Sequence, residues 1–173
     1  RVLGVIPARG GSKRIPRKNL RLLCGKPLIQ YTIEAAQKAA KLTTWVVSTE
    51  NEEIRDVALS LGAYVIRRPD ALAQDDTTTG AVLKHALEWM ETDTPYDMVV
   101  CLHPTSPIRD PRHIDQAVEM LWASPLNTLA SVCKLPTKTH QNIGWIGKNV
   151  GDWLAELDFE PRYILNASIY AMK

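Results

Sequence analysis

The sequence predicts an α/β fold: a mostly parallel central sheet flanked by helices, in a single domain covering residues 1–173. Three observations predict it. Short apolar runs of four to six residues alternate with stretches whose apolar positions recur at helical spacing. The runs are apolar throughout, the pattern of strands buried on both faces. Their spacing matches the crossover units that build parallel sheets.

The elements follow in order. VLGVIP (2–7) is the first strand, and a polar loop with Gly and Pro comes after it. PLIQYTIEAAQKAAK (27–41) has helical periodicity, and WVVS (45–48) is a second strand. Asn51 is placed to cap a helix reaching Leu61, with Ile54, Val57, Ala58 and Leu61 on one face and Gly62 as its stop. AYVIR (63–67) is the third strand, residues 78–91 a helix, DMVVCL (97–102) the fourth strand, residues 113–123 a helix and TLASVCK (128–134) a strand. The segment 135–162, with Gly, Trp145 and Trp153, is less regular and reads as a hairpin or an inserted lobe. YILNASIYAMK (163–173) returns as a strand.

Apolar residues make up 45% and charged residues 23%, an ordinary globular balance that excludes a disordered or fibrous chain. No apolar run reaches membrane-spanning length and no signal-peptide pattern opens the chain, so it reads as cytoplasmic with no membrane partner. The three cysteines, Cys24, Cys101 and Cys133, are widely spaced, odd in number and unaccompanied by metal-ligand histidines, and Cys101 and Cys133 lie in apolar runs as small core residues.

The net charge of +2 conceals an asymmetry: residues 1–33 hold eight Lys or Arg and no acid, leaving 13 basic against 19 acidic groups in the rest. A cationic segment on an acidic body suits a compact anionic ligand. It suits nucleic acid poorly, because the basic loop carries no aromatic side chains for base stacking.

That loop, ARGGSKRIPRKN (8–19), follows the first strand directly. Ligands of open parallel sheets bind beyond the carboxyl ends of the strands, so the loop lies on the ligand side. Gly10 and Gly11 allow close backbone approach to an anion, Arg9 can grip phosphate oxygens bidentately, and Lys13 supplies a point charge. The spacing is neither that of a Walker A loop nor that of the GxGxxG dinucleotide fingerprint.

These residues carry a resemblance. IPARGGSKRIPRKNL (6–20) with GKPLIQYTIEAA (25–36) is similar to the signature of the acylneuraminate cytidylyltransferases, which make CMP-sialic acids and the related CMP-legionaminic and CMP-pseudaminic acids. VSTENEEIRDVALSLGAYVIRRP (47–69), ALAQDDTTT (71–79) and LHPTSPIRD (102–110) match in the family's order, and LNASIYAMK (165–173) resembles its NGAIY strand.

The resemblance implies a glycosyltransferase-A-like nucleotidyltransferase fold and a reaction in which CTP and a nine-carbon sugar acid give CMP-sugar and pyrophosphate, assisted by Mg²⁺. It implies that Arg9 and Lys13 are catalytic. It places Ala8, Arg9, Gly10, Gly11, Ser12, Lys13, Lys18, Asn19, Asp76 and Thr77 on the nucleotide, although Asp75, Asp76 and Thr77 also suit the cap of the next helix. It places His103, Thr105, Ser106, Arg109, Lys138 and Asn166 on the acidic sugar, with Arg162 a weaker match. His103 departs from the glutamine usual there. The family also implies a homodimer, with residues 135–162 as the dimerisation lobe. Its members continue into a tail whose D-x-D pair binds the catalytic metal, and this sequence contains no D-x-D, which leaves the metal ligands unassigned. A CMP-Kdo-type or other sugar nucleotidyltransferase, and a non-catalytic nucleotide-binding homologue, stay open as alternatives.

Overall fold

The computed structural model describes residues 1–91, 95–134 and 163–173, with backbone alone for residues 133, 134 and 163–167. Its elements are β1 (Val2–Pro7), the two-residue strands β2 (Leu22–Leu23) and β3 (Lys26–Pro27), α1 (Leu28–Lys38), β4 (Thr44–Thr49), α2 (Glu52–Ser60), β5 (Tyr64–Arg67), α3 (Thr79–Met90), β6 (Met98–Cys101), α4 (Pro111–Ala123), β7 (Thr128–Lys134) and β8 (Tyr163–Met172). Short 3-10 turns cover Lys18–Leu20 and Asp70–Leu72.

Six strands form one sheet in the order β5-β4-β1-β6-β8-β7. The first four are parallel, and β8 is antiparallel to both of its neighbours, β6 and β7. The chain builds outward from β1 through β4 to β5, then crosses back to place β6 on the other side of β1. β1 is therefore the topological switch point, and a crevice opens beyond its carboxyl end.

The burial pattern explains why β1 is apolar at nearly every position. Leu3 and Val5 pack with Val46, Ile66, Val99 and Cys101 against Leu83 and Ala86 of α3. Val2 and Ile6 face the opposite layer, with Ile29 and Ile33 of α1 and Ile114 and Leu121 of α4. Leu3, Val5 and Ile6 are fully excluded from solvent, and a side chain of that size contributes about 1.5–3 kcal/mol by burial. These two cores hold the carboxyl ends of β1, β4, β5 and β6 in fixed register beneath the loops that follow.

Local signals end the helices where the sequence expects. Asn51 Oδ1 accepts the Ile54 amide at 3.0 Å, and Gly62 leaves α2 with φ +77°, a conformation available to glycine without strain. Helix α4 starts earlier than the 113–123 expected, because Asp110 caps it and Pro111 takes the first helical position. The expected cap of α3 at residues 75–77 is corrected: Thr78 takes that role, its hydroxyl accepting the Ala81 amide at 3.2 Å. Cys101 is in the core as expected, whereas Cys24 is exposed at φ 48° in the β2–β3 turn. The expected lobe at 135–162, with Trp145, Trp153, Lys138 and Arg162, lies outside the described residues.

Candidate nucleotide site

The crevice is a cleft of about 250 Å³. Three connections wall it: the loop after β1 (Pro7, Arg9, Ser12, Lys18, Asn19), the segment from the end of β5 into α3 (Arg68, Leu72, Gln74, Asp75, Thr77, Thr79, Val82), and the loop after β6 (His103, Pro104, Thr105). Residues distant in sequence meet here because the crossover puts β6 beside β1.

The β1 loop is braced from below. Asn19 is buried, and its amide Nδ2 donates to the Arg9 carbonyl at 2.9 Å, tying the loop's start to its end. The Gly10 amide donates to Glu50 Oε1 at 2.6 Å. A Cβ on Gly10 would lie 2.6 Å from Asn51 Nδ2 and 2.9 Å from Asn51 Cβ and Cγ. Gly10 is thus required by the close approach of the β1 loop to the cap of α2. Around Gly11, by contrast, the space is open. The Gly10 N–H, read from sequence as an anion donor, is committed to a carboxylate.

The cleft is electropositive. Arg9, Lys18 and Arg68 line it against the carboxylate of Asp75, and Lys13, exposed and outside the lining, pairs with Asp75 from the same loop as Arg9. Arg9 Nη1 lies 3.0 Å from Asp75 Oδ1 and donates to the Gln74 carbonyl at 3.0 Å. The Lys13 hydrogen bond, with the nearby Arg9 charge, holds the Asp75 carboxyl below the ordinary carboxylate range. Arg68 is only 3% exposed, and its guanidinium donates to the carbonyl and hydroxyl of Ser48 at 2.5 and 3.3 Å, with Glu50 Oε2 at 4.0 Å. Burial pushes this guanidinium below its usual pKa, partly opposed by Glu50.

On the far wall, His103 stacks edge-on to Tyr170, centroids 6.1 Å apart, with its Nε2 3.6 Å from Cys101 Sγ. Burial, then the charges of Arg109 and Lys18, lower the His103 pKa, so the ring is neutral near pH 7. Burial also pushes the Cys101 thiol up to about 12, so it is a protonated neighbour and not a nucleophile.

Of the residues expected at the site, the structure brings Arg9, Ser12, Lys18, Asn19, Thr77, His103 and Thr105 to the cleft lining. Ala8 is in the core, bonded through its amide to the Ser48 carbonyl. Asp76 is exposed and outside the lining, where Asp75 takes the place expected for it. Ser106 is also outside the lining. Arg109 is corrected from a cleft cation to a buried brace: its guanidinium donates to Thr32 Oγ1 at 3.2 Å, the His103 carbonyl at 2.9 Å and the Ser168 carbonyl at 2.5 Å. Asn166 is in β8, its side chain outside the described residues, as is Lys138. Sequence reasoning missed Glu50, Gln74 and the inward turn of Arg68. The parallel pairing Thr49↔Arg67 sets Arg68 beside the end of β4, and no local pattern reveals it.

The fit to Mg²⁺ is poor on the protein side. Among the described residues no group of three or more His, Cys, Asp or Glu is arranged to hold a metal. Among the described residues, too, no helix is long and apolar enough to cross a membrane.

A switched parallel sheet with a cation-rich loop at the switch strand defines a nucleotide-binding α/β protein. The chain belongs to the cytidylyltransferase family, whose sequence model matches residues 3–143. It is 40% identical to the CMP-N,N'-diacetyllegionaminic acid synthase of Legionella pneumophila, over 98% of this chain and 77% of that protein. It is 41% identical to the N-acylneuraminate cytidylyltransferase of Escherichia coli O18:K1:H7, over 69% of this chain and 28% of that protein. Among solved structures, CMP:2-keto-3-deoxy-manno-octonic acid synthetase complexed with CTP shares the fold, with a TM-score of 0.72 and 21% identity over 100% of this chain and 74% of that one.

Proposed function

We propose that this protein couples CTP to an acidic nine-carbon sugar, giving CMP-sugar and pyrophosphate. The observation that carries the reading is the pairing of Arg9 and Lys13 with a carboxylate inside the switch-point cleft, two cations held where an anionic group already sits. The relationship to the Legionella legionaminic acid synthase favours a sugar acid as the acceptor.

In this reading the triphosphate lies along the β1 loop, where Arg9, Lys13 and Lys18 neutralise its charge. Phosphoryl transfer asks mainly for such positioning and electrostatic stabilisation. Thr77 and Gln74 face the nucleoside, and His103 and Thr105 face the sugar across the cleft. A neutral His103 ring can donate or accept at the sugar without opposing the acid's charge. Mg²⁺ belongs to this reading as an ion carried by the phosphate oxygens. The described residues form no cage for it. A homodimer in the cytoplasm completes the proposal.

The test is pyrophosphate release with CTP, Mg²⁺ and a panel of sialic, legionaminic, pseudaminic and Kdo acids, beside a sugar-free control. Sugar-dependent release names the acceptor. CTP binding without release for any acid overturns the catalytic reading and leaves a nucleotide-binding protein.

A further inference from the structure

The two cations assigned to the triphosphate are already paired. Asp75 meets Arg9 through one carboxylate oxygen and Lys13 through the other, so a single side chain engages both. Its place is inside the cleft lining, on the connection between the Asp70–Leu72 turn and α3. A phosphate group that reaches these two cations competes with Asp75 for them.

Glu50 gives the contrast. It too engages the β1 loop, yet it is mostly covered, its side chain 14% exposed, and bonded to the Gly10 amide. Releasing it would strand a part-buried amide donor and remove the counter-charge beside the buried Arg68, so it stays in place. Asp75 is 45% exposed and Lys13 81%, so either can part from its partner and be solvated at once. One carboxylate is built into the loop's foundation and the other is displaceable.

We infer that Asp75 is an internal counter-anion of the phosphate site: a polyphosphate displaces it on binding, and it returns to Arg9 and Lys13 as the polyphosphate leaves. Its effect is to weaken the hold on CTP and, after transfer, on pyrophosphate, whose departure is assisted by an acid waiting beside the vacated cations. The inference rests on the cytidylyltransferase reading and adds a residue that governs substrate and product release. The lowered pKa of Asp75 agrees with the pairing.

The experiment compares wild type with Asp75→Asn, titrating CTP, inorganic pyrophosphate and the neutral nucleoside cytidine. Asparagine keeps the size and loses the charge, so CTP and pyrophosphate should bind about three- to tenfold tighter, the range expected for freeing two exposed ion pairs. Cytidine affinity should not change, which separates loss of a competing charge from a loosened cleft. In wild type, a carbon-13 NMR titration of the Asp75 carboxyl should show its pKa rising toward the ordinary value once pyrophosphate is added. The inference is overturned if Asp75→Asn binds pyrophosphate equally or more weakly, or if the carboxyl titration is indifferent to pyrophosphate. Wild type that binds neither CTP nor pyrophosphate overturns the nucleotide reading itself, a distinguishable failure.

Discussion

Replacing Arg109 by alanine tests whether a cation next to a ligand cleft serves the ligand or the scaffold. The guanidinium is 7% exposed and donates to three acceptors on α1, the β6 loop and β8. Bonds from a charged donor contribute about 1.5–3 kcal/mol each, so three at the low end give about 4–5 kcal/mol. Burial opposes this: the folded pKa is about 10 against an ordinary 12.5, and at about 1.4 kcal/mol per unit the buried charge costs about 3.5 kcal/mol. A cation with a depressed folded pKa destabilises at every pH below that folded value, so the cost is fully present at neutral pH and is relieved only as pH rises past about 10. The packed methylene stem adds about 1–2 kcal/mol. The net expectation for Arg109→Ala is a loss of about 1.5–3.5 kcal/mol, or a melting temperature lower by about 4–10 °C for a domain of this size. Thermal melting beside a sugar-binding titration decides it. A variant that melts like wild type but has lost affinity for acidic sugars would refute the brace and restore Arg109 to the ligand.

Further predictions concern the loop and the far wall. Gly10→Ala forces a methyl into Asn51 and should cost about 1–3 kcal/mol as overpacking does, while Gly11→Ala should melt like wild type; the paired melts check both. Asn51→Ala should cost about 1 kcal/mol through loss of the α2 cap, read by urea unfolding. Arg9→Ala and Lys13→Ala should each weaken CTP binding by about tenfold or more, measured by titration calorimetry. The His103 pKa is depressed in the fold, so the native state binds fewer protons than the unfolded chain and stability should fall as pH drops below the ordinary value of 6.5. His103→Gln should flatten that fall, and unchanged acid sensitivity would show that another group carries it.

What was legible in the sequence was whatever depends on neighbours along the chain. The β1 run, the Asn51 cap and the Gly62 stop are each decided within a few residues, and each stands where expected. The β2–β3 hairpin was not legible, since strands of two residues have no period to read and the turn uses Cys24 in a left-handed conformation. The loop after β1 announced its chemistry through glycines and cations, but not the direction of each group. Gly10 turns its N–H to Glu50, and Asp75, not Asp76, faces the cleft. Arg68 and Arg109 look like surface cations in a one-dimensional reading. Only the pairing of β4 with β5, and the return of β8 beside β6, give them acceptors to be buried against.

The crossover from β5 to β6 has a consequence for how such a protein changes its ligand. The segments walling the cleft leave strands separated by three ladder spacings, about 14 Å, a distance set by backbone hydrogen bonds and not by any side chain. The width of the cleft between the end of β5 and the end of β6 is therefore a constant of the sheet, and on the proposed reading the turn that faces the acceptor sits at its rim. Transplanting the turn 103–108 from a relative with another acceptor should move preference while leaving the span untouched. If the proposed reading holds, a change of recipient asks only for one short turn to be rewritten, while the sheet beneath it stays as it is.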